Sequence, residues 1–215
     1  MFTGIVQALI PVQDVQEEGN LRRLVLELGS LTDGLSLGAS VAVNGVCLTV
    51  TQVSEVDASF DVISETLALT NLGELTPGSL VNVERSFTTG TEVGGHIVSG
   101  HVGGTVQLLQ RQIEGHAHVI RLACPQDQLK YIFHKGFVAV DGASLTVSSI
   151  NREAGWFEIS LIPETLARTT LGLRKEGEFF NVEVEAQTVT TVDTVERLMS
   201  DPAWLQKLQD AASKA

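Results

Sequence analysis

The chain has 215 residues, 43% of them hydrophobic, and a formal net charge of −12. That length and apolar content suffice for two modest cores of roughly 90 to 100 residues each. The acidic balance excludes a general basic surface for nucleic acid or anionic lipid, and no apolar run approaches the roughly 18 residues that cross a membrane.

The opening MFTGIVQ has no basic stretch followed by an apolar one, so no signal peptide is read there. Alternating β-branched runs follow: LVLEL (24–28), SVAVN (40–44), CLTVTQV (47–53), SFDVI (59–63) and LVNVE (80–84). Period-two alternation of this kind predicts short strands with one buried face. Their partners in the second half are HVIRLAC, FVAVDG, SLTVSSI, WFEISLI and FFNVEVEA. Asn44-Gly45, Pro77-Gly78, Asp141-Gly142 and Glu176-Gly177 supply the turns, with positive φ expected at the Asn-Gly and Asp-Gly pairs. SETLALTNLG and PETLARTTLG predict one or two helical turns, with Gly73 and Gly172 as left-handed caps. The pattern is all-β, a closed barrel or a sandwich in each half. After Glu185, apolar residues at Val192, Val195, Leu198, Leu205 and Leu208 mark a helix, and Asp201-Pro202 breaks it into a kinked helix or two. That tail has no counterpart in the first half. Its apolar stripe needs either its own barrel or another subunit.

The two halves repeat. VAVNGVCLTV at 41–50 returns as VAVDGASLTV at 138–147, identical at seven of ten positions. Glu65, Thr66, Leu67, Thr70 and Gly73 recur as Glu164, Thr165, Leu166, Thr169 and Gly172, and Thr3-Gly4-Ile5-Val6 matches Ser99-Gly100-His101-Val102. A period of about 97 residues exceeds the roughly 20 to 50 of solenoids and equals a small domain. Residues 1–95 and 96–188 are therefore two copies of one fold, with 189–215 as a tail. Function is expected to use two similar, non-identical sites.

Most of the histidines and cysteines read as structural. His96 and His101, five apart on a predicted strand, would point to opposite faces without an acidic partner, so no metal site is read. His116 and His118 suggest a solvated edge, His134 the surface. The glycines of EVGGHIVSGHVGG lack the following helix of a dinucleotide fingerprint. Cys124 is read as a packing thiol. Two cysteines in unmatched contexts argue against a disulfide scaffold and for a reducing cytoplasm. Cys47 differs, because it follows the Asn-Gly turn and its counterpart is Ser144. Both carry a potential nucleophile, against the alternative of a packing pair. Thr49 and Thr146 share that strand face. Glu65-Thr66 and Glu164-Thr165 offer polar groups to a ligand or serve as helix caps.

The sequences MFTGIVQ, NGVCLTV, GGHIVSGHV, KGFVAVDGASLTV and IPETLARTTLG, in this order, resemble the riboflavin synthase family of the alpha-chain type over residues 1–200. The resemblance implies two tandem six-stranded antiparallel Greek-key β-barrels and a C-terminal α-helix, assembled as a homotrimer through that helix. It implies a dismutation of two 6,7-dimethyl-8-ribityllumazine molecules to riboflavin and 5-amino-6-ribitylamino-uracil, with no metal and no cofactor. Carried over, Gly4, Ile5, Val6, Cys47, Leu48, Thr49, Asp61, Val62, Ile63, Ser64, Glu65 and Thr66 would bind one lumazine on the first barrel. Gly100, His101, Val102, Lys135, Ser144, Leu145, Thr146, Ile162, Pro163, Glu164, Thr165, Leu166 and Ala167 would bind the other on the second. Phe2, Ser40, Cys47, His101 and Asp141 match catalytic positions. The resemblance leaves room for association with lumazine synthase. The competing class is a lumazine- or flavin-binding antenna protein without catalysis.

Overall fold

The computed structural model describes residues 1–114 and 117–212. Twelve strands form two closed six-stranded barrels. The first contains β1 (Ala8–Glu18), β2 (Leu21–Glu27), β3 (Ser40–Val43), β4 (Val46–Val53), β5 (Asp57–Ile63) and β6 (Leu80–Arg85), with helix α1 (Ser64–Leu69) after β5. The second contains β7 (Gly104–Glu114), β8 (Ala117–Ala123), β9 (Phe137–Val140), β10 (Ala143–Asn151), β11 (Trp156–Leu161) and β12 (Phe179–Val184). Helix α2 (Gln126–Leu129) follows β8 and α3 (Pro163–Arg168) follows β11. All pairs are antiparallel, in the order β1-β2-β5-β4-β3-β6 and its equivalent β7-β8-β11-β10-β9-β12.

Alternation puts one face of each strand inside. In β4, Val46, Leu48 and Val50 enter the first core while Cys47 and Thr49 face outward. Phe60 and Phe157 fill the centres of the two cores. The register shifts in β1, β4, β7 and β10, at equivalent places in the two copies. Such bulges bend strands sharply enough to close a small barrel. They also explain why β1 and β7 are invisible as alternating runs: each pattern breaks at its bulge, and β1 carries Pro11 besides.

The turn residues behave as their chemistry requires at the hairpins. Asn44 and Asp141 have φ of 46° and 43°, and the glycines after them 80°. Gly73 and Gly172 do not take the left-handed conformation expected of them. Helices α1 and α3 end instead at extended Thr70 and Thr169, each capping a following 3-10 turn through its hydroxyl. Glycine is needed there for space, since a Cβ on Gly73 or Gly172 would sit 2.9 or 2.5 Å from the carbonyl of Leu67 or Leu166.

The barrels face each other across a pseudo-two-fold axis. Phe2 and Val98 exchange backbone hydrogen bonds of 2.8 and 3.0 Å. The Gly45 and Gly142 turns meet so closely that a Cβ on Gly45 would lie 2.6 Å from the Gly142 nitrogen. Around the axis runs a buried polar network. The Asn82 amide donates to the Asp141 carbonyl and the Asn181 amide to the Asn44 carbonyl, both at 2.8 Å. The backbone N–H groups of Asn71 and Thr170 donate to the side chains of Asn181 and Asn82. Because buried polar groups are costly unless paired, this reciprocal set fixes one relative orientation of the barrels.

The tail is two helices, α4 (Ala186–Met199) and α5 (Pro202–Ala212). The break is where the sequence places it, with the Asp201 carboxylate accepting from the Ala203 N–H at 2.9 Å. Lys130 and Tyr131 tie α4 to the second barrel through Asp193 and Glu196. Helix α4 has no fully buried residue; Val195 and Met199 are exposed. No described helix is long and apolar enough to cross a membrane.

Candidate functional site

Two loops precede the barrels, and each is held in the same way. The N–H and hydroxyl of Thr3 donate to Glu84 at 2.6 and 2.7 Å, and the Gly4 N–H donates to its other oxygen at 3.1 Å. The N–H and hydroxyl of Ser99 donate to Glu183 at 2.7 Å, and the Gly100 N–H follows at 2.9 Å. The sequence match between Thr3–Val6 and Ser99–Val102 is thus a match of geometry. Gly4 and Gly100 have φ of 74° and 85°, which glycine adopts without cost.

The loops dock crosswise. The Gly4 carbonyl accepts from the Ser144 N–H at 2.8 Å, and Val6 packs on the second core. The Gly100 carbonyl accepts from the Cys47 N–H at 2.9 Å, and Val102 packs on the first core. The grouping expected from sequence is therefore exchanged for most of these residues: Gly4, Ile5 and Val6 belong with Ser144, and Gly100 and Val102 with Cys47 and the first core.

Gly4, Ile5, Val6, Ser144, Leu145, Ile162, Glu164 and Thr165 line one groove of about 220 Å³. Ala143, Arg168 and Thr169, which sequence reasoning did not select, complete its walls. Arg168 forms an exposed ion pair with Glu164. Of the remaining residues expected here, Thr146, Pro163 and Ala167 are exposed, and Leu166 packs against the second core. Lys135 sits in an exposed turn at φ 64°, the position that Gly38 occupies in the first copy.

Behind the groove stands His96. It lies in the irregular segment between β6 and β7, as does His101, so neither is on a strand. Its Nδ1 is 2.7 Å from Ser144 Oγ, and its ring stacks on Phe137 at 5.2 Å between centroids. Burial pushes its pKa below the ordinary histidine value, against the pull of Glu185 and Glu183. A neutral imidazole bonded to a serine hydroxyl is the arrangement of a base and an activated oxygen. Sequence separation of 48 residues hid the pair.

Among the described residues, the corresponding place on the first barrel has no such dyad. Cys47 is half-buried and free, packed against Phe2, Ala42, Val98 and Ala139. Thr49 shares its outward face, and Ser40 pairs with Thr49 across β3. Phe2 is 1% exposed under Gly100, a packing position beside the thiol. Ile63, Ser64 and Glu65 are exposed and Thr66 half-buried. Leu48 and Val62 point into the core, so only their backbone faces out. Both oxygens of Asp61 are taken by Arg23 at 2.7 and 3.0 Å. His101 is exposed and lines a separate cavity of about 570 Å³ between the second barrel and α4.

Asp141 falls outside both places. It is fully buried in the network between the barrels, accepting from Asn71 at 2.9 Å, from the Asn181 N–H at 2.8 Å and from Thr170 at 2.9 Å. Arg174 lies 3.5 Å away. Burial pushes its carboxyl above the usual range, with Arg174 and these donors opposing. Asp141 is thus a structural post between the barrels. Among the other groups, Cys124 packs in the second core as expected, with burial pushing its thiol up to about 12. His134 is exposed; His116 lies outside the described residues.

Comparison with known proteins bears on the fold and the family. The lumazine binding domain model matches twice, at residues 3–86 and 99–185. The riboflavin synthase of Escherichia coli K12 is 46% identical over 93% of this chain and 94% of its own. The chain belongs to the riboflavin synthase family. Riboflavin synthases of Mycobacterium tuberculosis H37Rv and Chlamydia pneumoniae are 44% and 43% identical, each over 93% of this chain and 98% of their own. The fold is also that of LumP, whose crystal structure with riboflavin gives a TM-score of 0.78 at 24% identity over 86% of this chain and all of that one. That likeness is one of fold, and fold alone does not decide between catalysis and binding.

Proposed function

We propose that the chain makes riboflavin, moving a four-carbon unit from one 6,7-dimethyl-8-ribityllumazine to a second and releasing 5-amino-6-ribitylamino-uracil. The carrying observation is the chemical divergence of a duplicated position: a His96–Ser144 pair stands at the groove of the second barrel, and a free thiol, Cys47, holds the equivalent position on the first. A dismutation needs a donor and an acceptor, which two unlike sites supply. Ser144, passing its proton to the neutral imidazole of His96, removes a proton from the 7-methyl group of one lumazine. Cys47, with Ser40 and Thr49 on the same outward face, adds to or places water at ring carbon 7 of the other. Holding the two rings in contact contributes roughly 7 to 11 kcal/mol of barrier lowering. Halves 1–95 and 96–188 each carry one ligand in this reading, and 189–215 serves assembly.

Incubating pure protein with 6,7-dimethyl-8-ribityllumazine and following riboflavin tests the reading. Sustained riboflavin formation supports it. A bound, fluorescent and unconverted lumazine would instead make the chain an antenna protein.

The groove is small beside the roughly 300 to 1,000 Å³ of typical ligand pockets, and its rim is apolar, with Ile5 and Ile162 about half exposed. A second copy of the chain would close it. We infer a cytoplasmic homotrimer held by α4 and α5, with lumazine synthase as a candidate associate. Removing residues from Val192 onward is expected to dissociate the assembly and to abolish riboflavin formation together, read by light scattering and assay. A truncated monomer with near-normal activity would eliminate the shared groove, and an active trimer would acquit the tail.

A further inference from the structure

The mechanism makes no use of two buried carboxylates. Glu84 is 4% and Glu183 8% exposed, one near the end of β6 and the other near the end of β12. Each spends both oxygens on a loop: Glu84 on Thr3 and Gly4, Glu183 on Ser99 and Gly100. The loop glycine then passes its carbonyl to the opposite barrel, Gly4 to Ser144 and Gly100 to Cys47. We propose that Glu84 and Glu183 are positioning residues, each fixing from its own barrel the loop that docks on the other: Glu84 the wall of the groove at Ser144, and Glu183 the segment over Cys47.

The chemistry favours an ionised carboxylate over any neutral replacement. Three donors converge on each, and charge-assisted bonds of this type are about twice as strong as neutral ones. A glutamine in place of Glu84 keeps one accepting oxygen and turns an N–H toward a donor, at Thr3 or at Gly4. The loop would then lose its fixed height above Ser144, and with it the wall formed by Ile5 and Val6. Glu183 holds Gly100 over Cys47 in the same way, with Val102 against the first core. A loop held only by its own barrel would serve that barrel, so the crosswise dependence is what distinguishes positioning from local folding.

This inference rests on the reading that the grooves bind lumazine and its product. Riboflavin is therefore the probe, titrated by fluorescence quenching into full-length wild type, Glu84→Gln and Glu183→Gln. Two sites per chain in wild type uphold that reading independently of the variants, and no binding at all would sink it first. Glu84→Gln is expected to weaken one site by about tenfold or more and leave the other within about threefold. Glu183→Gln is expected to do the reverse. If a glutamine variant fails to fold, Thr3→Val and Ser99→Ala remove one donor each and should give the same site pattern at smaller size. Equal loss at both sites in a folded variant, or no loss at either, overturns the proposal.

Discussion

Ser144→Ala lowers the turnover number for riboflavin formation by roughly a hundredfold or more, with little change in the Michaelis constant. Positioned proton transfer contributes roughly 10² to 10⁴ in rate, and Ser144 Oγ is the atom bonded to the buried imidazole. Groove shape survives the change, since Gly4 is held by the Ser144 backbone N–H and not by the hydroxyl. Loss of turnover without loss of affinity is the signature of an interaction made in the transition state. His96→Gln should act in the same direction, because an amide can hold the hydroxyl but cannot take its proton. The pH profile adds a second reading. With its pKa pushed down by burial, His96 stays neutral to lower pH than an ordinary histidine, so the acid limb of turnover lies below the usual histidine value. Stability follows the same sign. The unfolded chain takes up the proton first as pH falls, so stability is complete above the unfolded value and declines below it. Near-normal turnover in Ser144→Ala would reduce the dyad to packing.

Asp141→Ala is expected to cost about 3 to 5 kcal/mol of stability, the scale for removing one partner from a buried ion pair. The change strands Asn71, Thr170 and the Asn181 N–H as donors and leaves Arg174 without its counter-charge. The first copy shows what replaces this chemistry. Asn44 stands where Asp141 does and accepts from the Asn82 N–H at 2.8 Å, and Leu75 stands where Arg174 does. Asp141→Asn combined with Arg174→Leu should therefore cost much less than Asp141→Ala, while Arg174→Leu alone leaves the buried carboxylate without its counter-charge and should itself be costly. Chemical denaturation of wild type and these three variants reads the comparison. A folded Asp141→Ala with wild-type stability and lost turnover would return Asp141 to the catalytic list.

The parts of the molecule that sequence reveals are those governed by local periodicity and by the repeat. Alternation in SVAVN and CLTVTQV placed strands and their inner faces, because a half-buried strand admits few other patterns. Asn44-Gly45 and Asp141-Gly142 announced their turns through backbone chemistry. The crosswise docking of the loops was not legible. Aligning Thr3–Val6 with Ser99–Val102 gives the same pattern whether each loop serves its own barrel or the other, so only the bonds to Ser144 and Cys47 separate the two. His96 hides for a related reason. Its partner is 48 residues away, in another element, and nothing in GGHIV marks its ring as buried. The buried setting of Asp141 was equally hidden: its place in the family motif says nothing of donors that come from Asn71, Thr170 and Asn181, all remote in sequence. The kinked tail was visible, since Pro202 can open a helix but not continue one.

The pseudo-two-fold axis also says something about descent. Reciprocal bonds such as Asn82 to Asp141 and Asn181 to Asn44 are those of an isologous dimer, in which one patch meets its own copy. A single barrel could have paired this way before the two were joined. In such a dimer every substitution appears twice, and an aspartate at this turn would bring two carboxylates to one dry seam. Joining the copies in one chain removes that restriction. One turn kept its amide as Asn44, the other took a carboxylate with Arg174 to match, and the same freedom let Cys47 and Ser144 part company. Fusion, on this geometry, is what allowed a symmetric ligand holder to become two unequal partners.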